Sequence, residues 1–218
     1  MDTQRNREAS LREWTFMVFL AGDNNLDGNA ASDLSEMKSI GSTCQVALLA
    51  QLDSQADKVT RRYELTSGGK WEDDCVDLLP EINCGDPQAL IDFVVWACQR
   101  RPAKHYALIL WNHGSGWKDN DIYRIAQQAG IETGSLGLAV RRLVSNRERQ
   151  SLFRSSLRIL VESLDRGILY DDSSADFLDS IEMRKALKTI SSHLGRPLDL
   201  LGCDACLMSM IEVGYQLH

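Results

Sequence analysis

Tyr106-Ala107-Leu108-Ile109-Leu110-Trp111 is an unbroken apolar run of strand length, and Asn112-His113-Gly114-Ser115-Gly116-Trp117 ends it at once in polar and small residues. A continuous run of this kind is expected of a strand buried on both faces, whereas a half-exposed strand alternates. A second run, residues 198–202, ends just as abruptly in Cys203-Asp204-Ala205-Cys206-Leu207-Met208. Residues 14–20 and 46–52 are two more strand-sized runs, the first broken by Ala21-Gly22-Asp23-Asn24-Asn25. Helical spacing lies between them. Leu26, Ala30, Leu34 and Met37 form one stripe that Gly41 stops. Leu90, Phe93, Val94, Ala97 and Cys98 form another, opened by Asp86 as cap and Pro87 in the first turn. Residues 180–194, with Ser180 as cap and Gly195 as stop, and residues 207–217 complete the helices.

Strands alternating with helices predict an α/β fold, a mainly parallel sheet with helices on both faces. Right-handed crossovers place the strand carboxyl ends on one edge, where such sheets bind ligands. His113 and Cys206 meet there if the third and fourth of these strands are neighbours. Residues 59–65 alternate apolar and polar, reach Ser67-Gly68-Gly69 and resume at Trp71, which predicts a small hairpin outside the core sheet. Asp171-Asp172-Ser173-Ser174 reads as a turn.

The composition narrows the function classes. A length of 218 residues allows one good-sized core. A net charge of −7 argues against general nucleic-acid binding. The amino-terminal residues are polar, with no apolar stretch following, which predicts no ordinary secretory leader and a cytoplasmic location. All apolar runs are strand-sized, so no membrane span is expected. Of the six cysteines, Cys44 and Cys98 read as small buried hydrophobes, and a Cys75–Cys84 pair across a turn is the weaker alternative to free thiols. Residues 1–13 read as a flexible lead-in to a domain spanning 14–218. Within it, residues 119–166 have no Lys, yet Arg recurs at 124, 141, 142, 147, 149, 154, 158 and 166, the texture of an exposed linker or insertion.

The two strand ends carry chemistry. Cys206 follows a strand and opens a helix, whose amino terminus favours the thiolate. His113 is a general base flanked by Gly114 and Gly116, which let backbone approach a substrate and turn N–H groups toward an oxyanion. Together they are the parts of a cysteine nucleophile site. Cys203 and Cys206 also form a Cys-x-x-Cys at a strand-to-helix junction, which keeps a thiol oxidoreductase open. A zinc site lacks a second ligand pair at the right spacing.

Residues 112–117 and 200–208, in this order, resemble the clostripain family of cysteine peptidases, enzymes of caspase-like fold. The resemblance extends to Phe19-Leu20-Ala21-Gly22-Asp23-Asn24-Asn25-Leu26-Asp27, to Asp171-Asp172-Ser173-Ser174-Ala175-Asp176-Phe177-Leu178 and to Glu182-Met183-Arg184-Lys185-Ala186-Leu187. It implies a caspase-like three-layer fold, His113 as general base and acid, Cys206 as nucleophile, and backbone N–H groups of Gly114 and Cys206 at the oxyanion. It places Asp23 beside the substrate pocket and makes Asp204 the carboxylate that recognises a basic P1 residue. A carboxylate can take Arg in a bidentate pair, although a strand-end Asp also caps helices. The resemblance further implies a protein or peptide substrate, self-cleavage among the arginines of 119–166, and calcium as an activator, with no cofactor needed for the chemistry itself.

Family domains continue beyond the nucleophile, whereas this chain ends at His218. The expectation is a domain truncated after the nucleophile's helix, with a second chain or a dimer completing the sheet. An impaired binding or regulatory module is the alternative to an active peptidase.

Overall fold

The computed structural model describes residues 11–112, 168–174 and 176–205, together with Met208, Gly214, Tyr215 and Leu217. Residues 113–167, Cys206 and most of the final helix expected at 207–217 lie outside them. The elements in chain order are β1 (Arg12–Gly22), α1 (Asp27–Ile40), β2 (Val46–Ser54), β3 (Val59–Glu64), a 3₁₀ turn (Trp71–Asp74), β4 (Cys75–Pro80), α2 (Pro87–Arg100), β5 (Ala103–Trp111), β6 (Ile168–Asp171), β7 (Asp176–Leu178), α3 (Ser180–Leu194) and β8 (Leu200–Asp204). The main sheet has the order β4-β3-β2-β1-β5-β8. Strands β2, β1, β5 and β8 run parallel, and β3 and β4 are antiparallel additions at one end.

The central strands are apolar on both faces, and the two faces are separate cores. Met17, Phe19, Leu49, Leu108 and Leu110 join Leu90, Phe93 and Val94 of α2 and Met183, Ala186 and Ile190 of α3. Val18, Leu20, Ala50 and Leu52 point the other way and join Ala30 and Leu34 of α1. Successive side chains of a strand point to opposite faces, so this split is the three-layer arrangement expected of the sequence.

Local signals explain the helix ends. The Asp86 side chain accepts from the Gln88 amide at 2.9 Å, and Pro87 occupies the first turn. Gly41 ends α1 with φ 64°. Asp179, rather than Ser180, caps α3, accepting from the Glu182 amide at 2.7 Å, and Gly195 closes that helix in the left-handed conformation. No helix among the described residues is long and apolar enough to cross a membrane.

Two further expectations are corrected. Residues 59–80 are not a hairpin apart from the core: β3 pairs with β2 from Leu49–Glu64 to Ser54–Val59, and Tyr63 is fully buried. Alternation marks a strand with one buried face, and α1 together with Trp71 supplies the cover on that face. Cys44 is exposed, because it sits in the bend before β2. Cys75 and Cys84 are free thiols, as expected, with Cys84 buried against Asp53.

The β5–β8 alignment is anchored at its start. The Asp199 carboxylate contacts His105 Nδ1 at 2.9 Å and accepts from the Tyr106 amide at 2.8 Å and Arg196 Nη1 at 2.9 Å. These bonds, those from His105 and Tyr106 foremost, hold its carboxyl down at about 2. A carboxylate stabilised in this way supports the fold while ionised, so its contribution is complete at neutral pH and is lost as the pH falls through about 2. Thermal unfolding followed between roughly pH 5 and pH 2 should show Asp199→Asn flattening the acid limb of the native profile. Equal acid sensitivity in the two proteins would remove Asp199 as an anchor.

Candidate active site at the carboxyl edge of the sheet

β5 and β8 lie side by side in parallel, with Leu110 opposite Cys203 and Trp111 opposite Asp204. Just past the pair, the Asn112 amide donates to the Asp204 carbonyl at 3.3 Å. His113 is the second residue after Trp111, and Cys206 is the second after Asp204. The strand adjacency that sequence alone left conditional is therefore present. His113, Gly114 and Cys206 themselves lie outside the described residues. Asp204 is exposed at the end of β8. Cys203 is partly buried against the α2–α3 core, and that burial raises its thiol pKa.

Two asparagines tie this edge together. Asn112 Nδ2 donates to the Ala21 carbonyl at 2.8 Å and to the Tyr170 carbonyl at 2.9 Å. Asn24 Nδ2 donates to the same two carbonyls, each at 2.9 Å, and its Oδ1 accepts from the Leu26 amide. Both side chains are nearly fully buried. The residue preceding His113 is thus held to the end of β1 and to β6, which follows the 119–166 segment in the chain. The sequence displayed both asparagines beside the motifs, but nothing in it connected them to Tyr170.

The β6–β7 hairpin lies across the ends of β1 and β2. The Asp172 amide donates to the Asp23 carbonyl at 2.7 Å, and the Ser173 amide to Asp23 Oδ2 at 3.2 Å. Asn83 Nδ2 donates to Asp176 Oδ2 at 2.7 Å. The hairpin backbone runs so close to Gly85 that a Cβ there would lie 2.5 Å from the Phe177 nitrogen. Asp23, expected beside a substrate pocket, is 1% exposed with its carboxylate turned to this hairpin.

Where the hairpin meets the end of β2 lies an acidic cluster that the sequence reading missed. Asp53, Cys84 and Asp171 are each at most 1% exposed. Asp53 Oδ1 accepts from Thr60 Oγ1 at 2.6 Å, and the Cys84 thiol donates to Asp53 Oδ2 at 3.5 Å. Asp171 accepts from the Cys84 amide at 3.0 Å and the Ser174 amide at 2.7 Å. Burial is the main reason that both carboxyls rise to about 6, and the Asp171 charge adds to the rise at Asp53. Burial, then the charges of Asp53 and Asp171, push the Cys84 thiol well up. One ligand atom from each of the three lies within 4.8 Å of the others, a spacing that could hold a metal ion. No motif announced this cluster, because its members come from β2, a loop and β6.

Comparisons with known proteins agree with this architecture. The description of the clostripain family matches residues 18–132 and 160–218. Clostripain of Hathewaya histolytica is 27% identical over 240 residues, covering 98% of this chain and 38% of that protein. A secreted C11 cysteine protease from Bacteroides thetaiotaomicron, solved with an irreversible peptide inhibitor, superposes with a TM-score of 0.62 at 21% identity, covering 94% of this chain and 46% of that one. An inactive zymogen C11 protease from Parabacteroides distasonis gives a TM-score of 0.54 at 20% identity, covering 95% and 46%. At these identities the two structures establish the fold. The chain spans less than half the length of each of these three relatives.

Proposed function

Because this chain belongs to the clostripain family, we propose that it carries the His/Cys dyad of a cysteine endopeptidase that cleaves after basic residues. The observation that supports this most is the pairing of Trp111 with Asp204 in adjacent parallel strands, with His113 and Cys206 two residues beyond each. In this reading His113 takes the Cys206 proton and the thiolate attacks the scissile carbonyl. The backbone N–H groups of Gly114 and Cys206 stabilise the oxyanion. His113 then gives its proton to the leaving amine, and water hydrolyses the acyl-enzyme. Asp204, exposed at the end of β8, is assigned to a P1 Arg or Lys.

The oxidoreductase reading is disfavoured by Cys203, whose burial opposes the thiolate that exchange requires. Asp23, buried beneath the hairpin, is assigned to architecture rather than to substrate contact. Self-cleavage within residues 119–166, with calcium as activator, completes the reading that the family suggests. β8 is the end strand of the sheet among the described residues, and Leu200 on it is 42% exposed. We assign the completion of that edge to further polypeptide, from the same protein or a second chain. The free thiols at Cys75 and Cys84 fit a reducing compartment such as the cytoplasm.

Fluorogenic peptides that differ only at P1 test the assignment in the full-length protein. Arg and Lys peptides should be hydrolysed and Ala or Asp peptides should not. Asp204→Asn should lower kcat/KM for the Arg peptide by roughly thirtyfold, the consequence of losing about 2 kcal/mol from a charge-paired contact. Equal turnover of acidic and basic P1 residues would end the specificity proposal.

A further inference from the structure

The geometry points to a binding site for a thiophilic divalent cation, zinc in type, formed by Asp53, Cys84 and Asp171 with Asp23 as a further ligand. This site uses neither residue of the proposed dyad and does not depend on that reading. Ligand atoms of Asp53, Cys84 and Asp171 lie within 4.8 Å of one another. Cys84 Sγ stands 3.5 Å from Asp53 Oδ2. Zinc bonds of about 2.0 Å to oxygen and 2.3 Å to sulfur give a tetrahedral edge of roughly 3.5 Å, so these two atoms are already at ligand spacing.

Charge balance is the second argument. Asp23, Asp53 and Asp171 are 1%, 0% and 0% exposed. The partners given above for their carboxylates are a threonine hydroxyl, a thiol and backbone amides, all neutral. Buried carboxylates gathered without a cation are costly, and either protons or a metal must relieve them.

An independent observation favours the metal. Asp23 Oδ1 is buried and has no hydrogen-bond partner among the described residues, while Oδ2 is held by the Ser173 amide. Asp23 lies near enough to Asp53, Asp171 and Cys84 for its charge to raise the pKa of all three, which puts it beside the cluster. A proton shared within the trio would leave this oxygen bare, whereas a cation between the four groups would engage it. The thiol selects the ion. Calcium and magnesium demand oxygen ligands, whereas a Cys with carboxylates suits zinc. The four ligands come from the ends of β1 and β2, the loop before α2, and β6, so the ion would join the hairpin to the sheet. Binding would displace the Cys84 proton and any proton held on the carboxyls to solvent.

The test uses the full-length protein carrying Cys206→Ala, so that zinc on that thiol is not counted, after dialysis against a chelator. With added zinc chloride, elemental analysis after gel filtration should find one zinc per chain. Melting should rise by about 5 °C or more at a hundredfold excess over the dissociation constant. Cobalt chloride should give the near-ultraviolet absorption of a thiolate–cobalt bond. Cys84→Ser should abolish that band and weaken zinc binding at least about tenfold. Zinc content unchanged by both Cys84→Ser and Asp171→Asn would overturn the site. So would stabilisation by calcium or magnesium but not by zinc, or no metal uptake at all. If Cys84→Ser fails to fold, the cobalt spectrum of the Cys206→Ala protein decides, and absence of the thiolate band counts against the site. Every readout is independent of peptide hydrolysis, so failure here and failure of the peptidase reading are distinguishable.

Discussion

Cys206→Ala in the full-length protein should reduce hydrolysis of Arg and Lys peptides by at least about 10⁴-fold, leaving the melting temperature nearly unchanged. The size of the effect follows from covalent catalysis. Without the sulfur there is no acyl-enzyme, and oxyanion donors and substrate binding alone retain only a small residue of the rate. Cys203→Ala is the informative control, because Cys203 lies three residues away in the same Cys-x-x-Cys. Its thiol is raised by burial and packs against the α2–α3 core, so removing it should cost stability rather than chemistry. Peptide turnover by purified proteins, with circular dichroism melting alongside, separates the readings. A peptidase loses activity with the first substitution only, and a thiol oxidoreductase needs both cysteines. Alkylation of the native protein by iodoacetamide adds a direct readout, since an activated Cys206 reacts faster than free cysteine at neutral pH.

The largest effect on folding is expected from Gly41→Ala. Gly41 ends α1 at φ 64° and ψ −177°, a backbone region open almost only to glycine. A Cβ there would lie 2.1 Å from the Ser67 nitrogen and 2.3 Å from the Thr66 carbonyl carbon, both main-chain atoms. The neighbours cannot yield by rotating a side chain, so backbone must move. Strain of about 1–3 kcal/mol from the dihedral and a similar amount from the clash give roughly 4 kcal/mol in all. That corresponds to a melting temperature lower by about 8–16 °C in a domain of this size. Gly68→Ala makes the matched comparison. It has φ 79° but open space around the added carbon, so it carries dihedral strain without the clash. Similar losses at the two positions would show that the close approach to residues 66–67 contributes nothing.

Legibility in the sequence followed the kind of interaction. β5 and β1 were readable because a strand buried on both faces has no polar alternation to disguise it. α2 was readable because Asp86 and Pro87 act locally, within the turn that they begin. β3 and β4 were recognised as strands but misplaced, since alternation reports one buried face and is silent about which neighbour covers it. The buried carboxylates were invisible for a related reason. Asp23, Asp53 and Asp171 look like polar strand-end residues, and only the folded chain brings Asp171 of the β6–β7 hairpin against Asp53 and Cys84.

The sequence by itself determined the layer architecture, the helix stops at Gly41 and Gly195, and the family to which the motifs around His113 and Cys206 belong. Apolar periodicity, caps and motifs act over a few residues, so they are legible in one dimension. Tertiary structure alone decided that β5 and β8 are neighbours in the Trp111–Asp204 register, and that Asn24 and Asn112 share the Tyr170 carbonyl. It also decided that Asp53 and Cys84 meet Asp171 of the β6–β7 hairpin. Those are contacts between segments distant in the chain, set by which surfaces exclude water together.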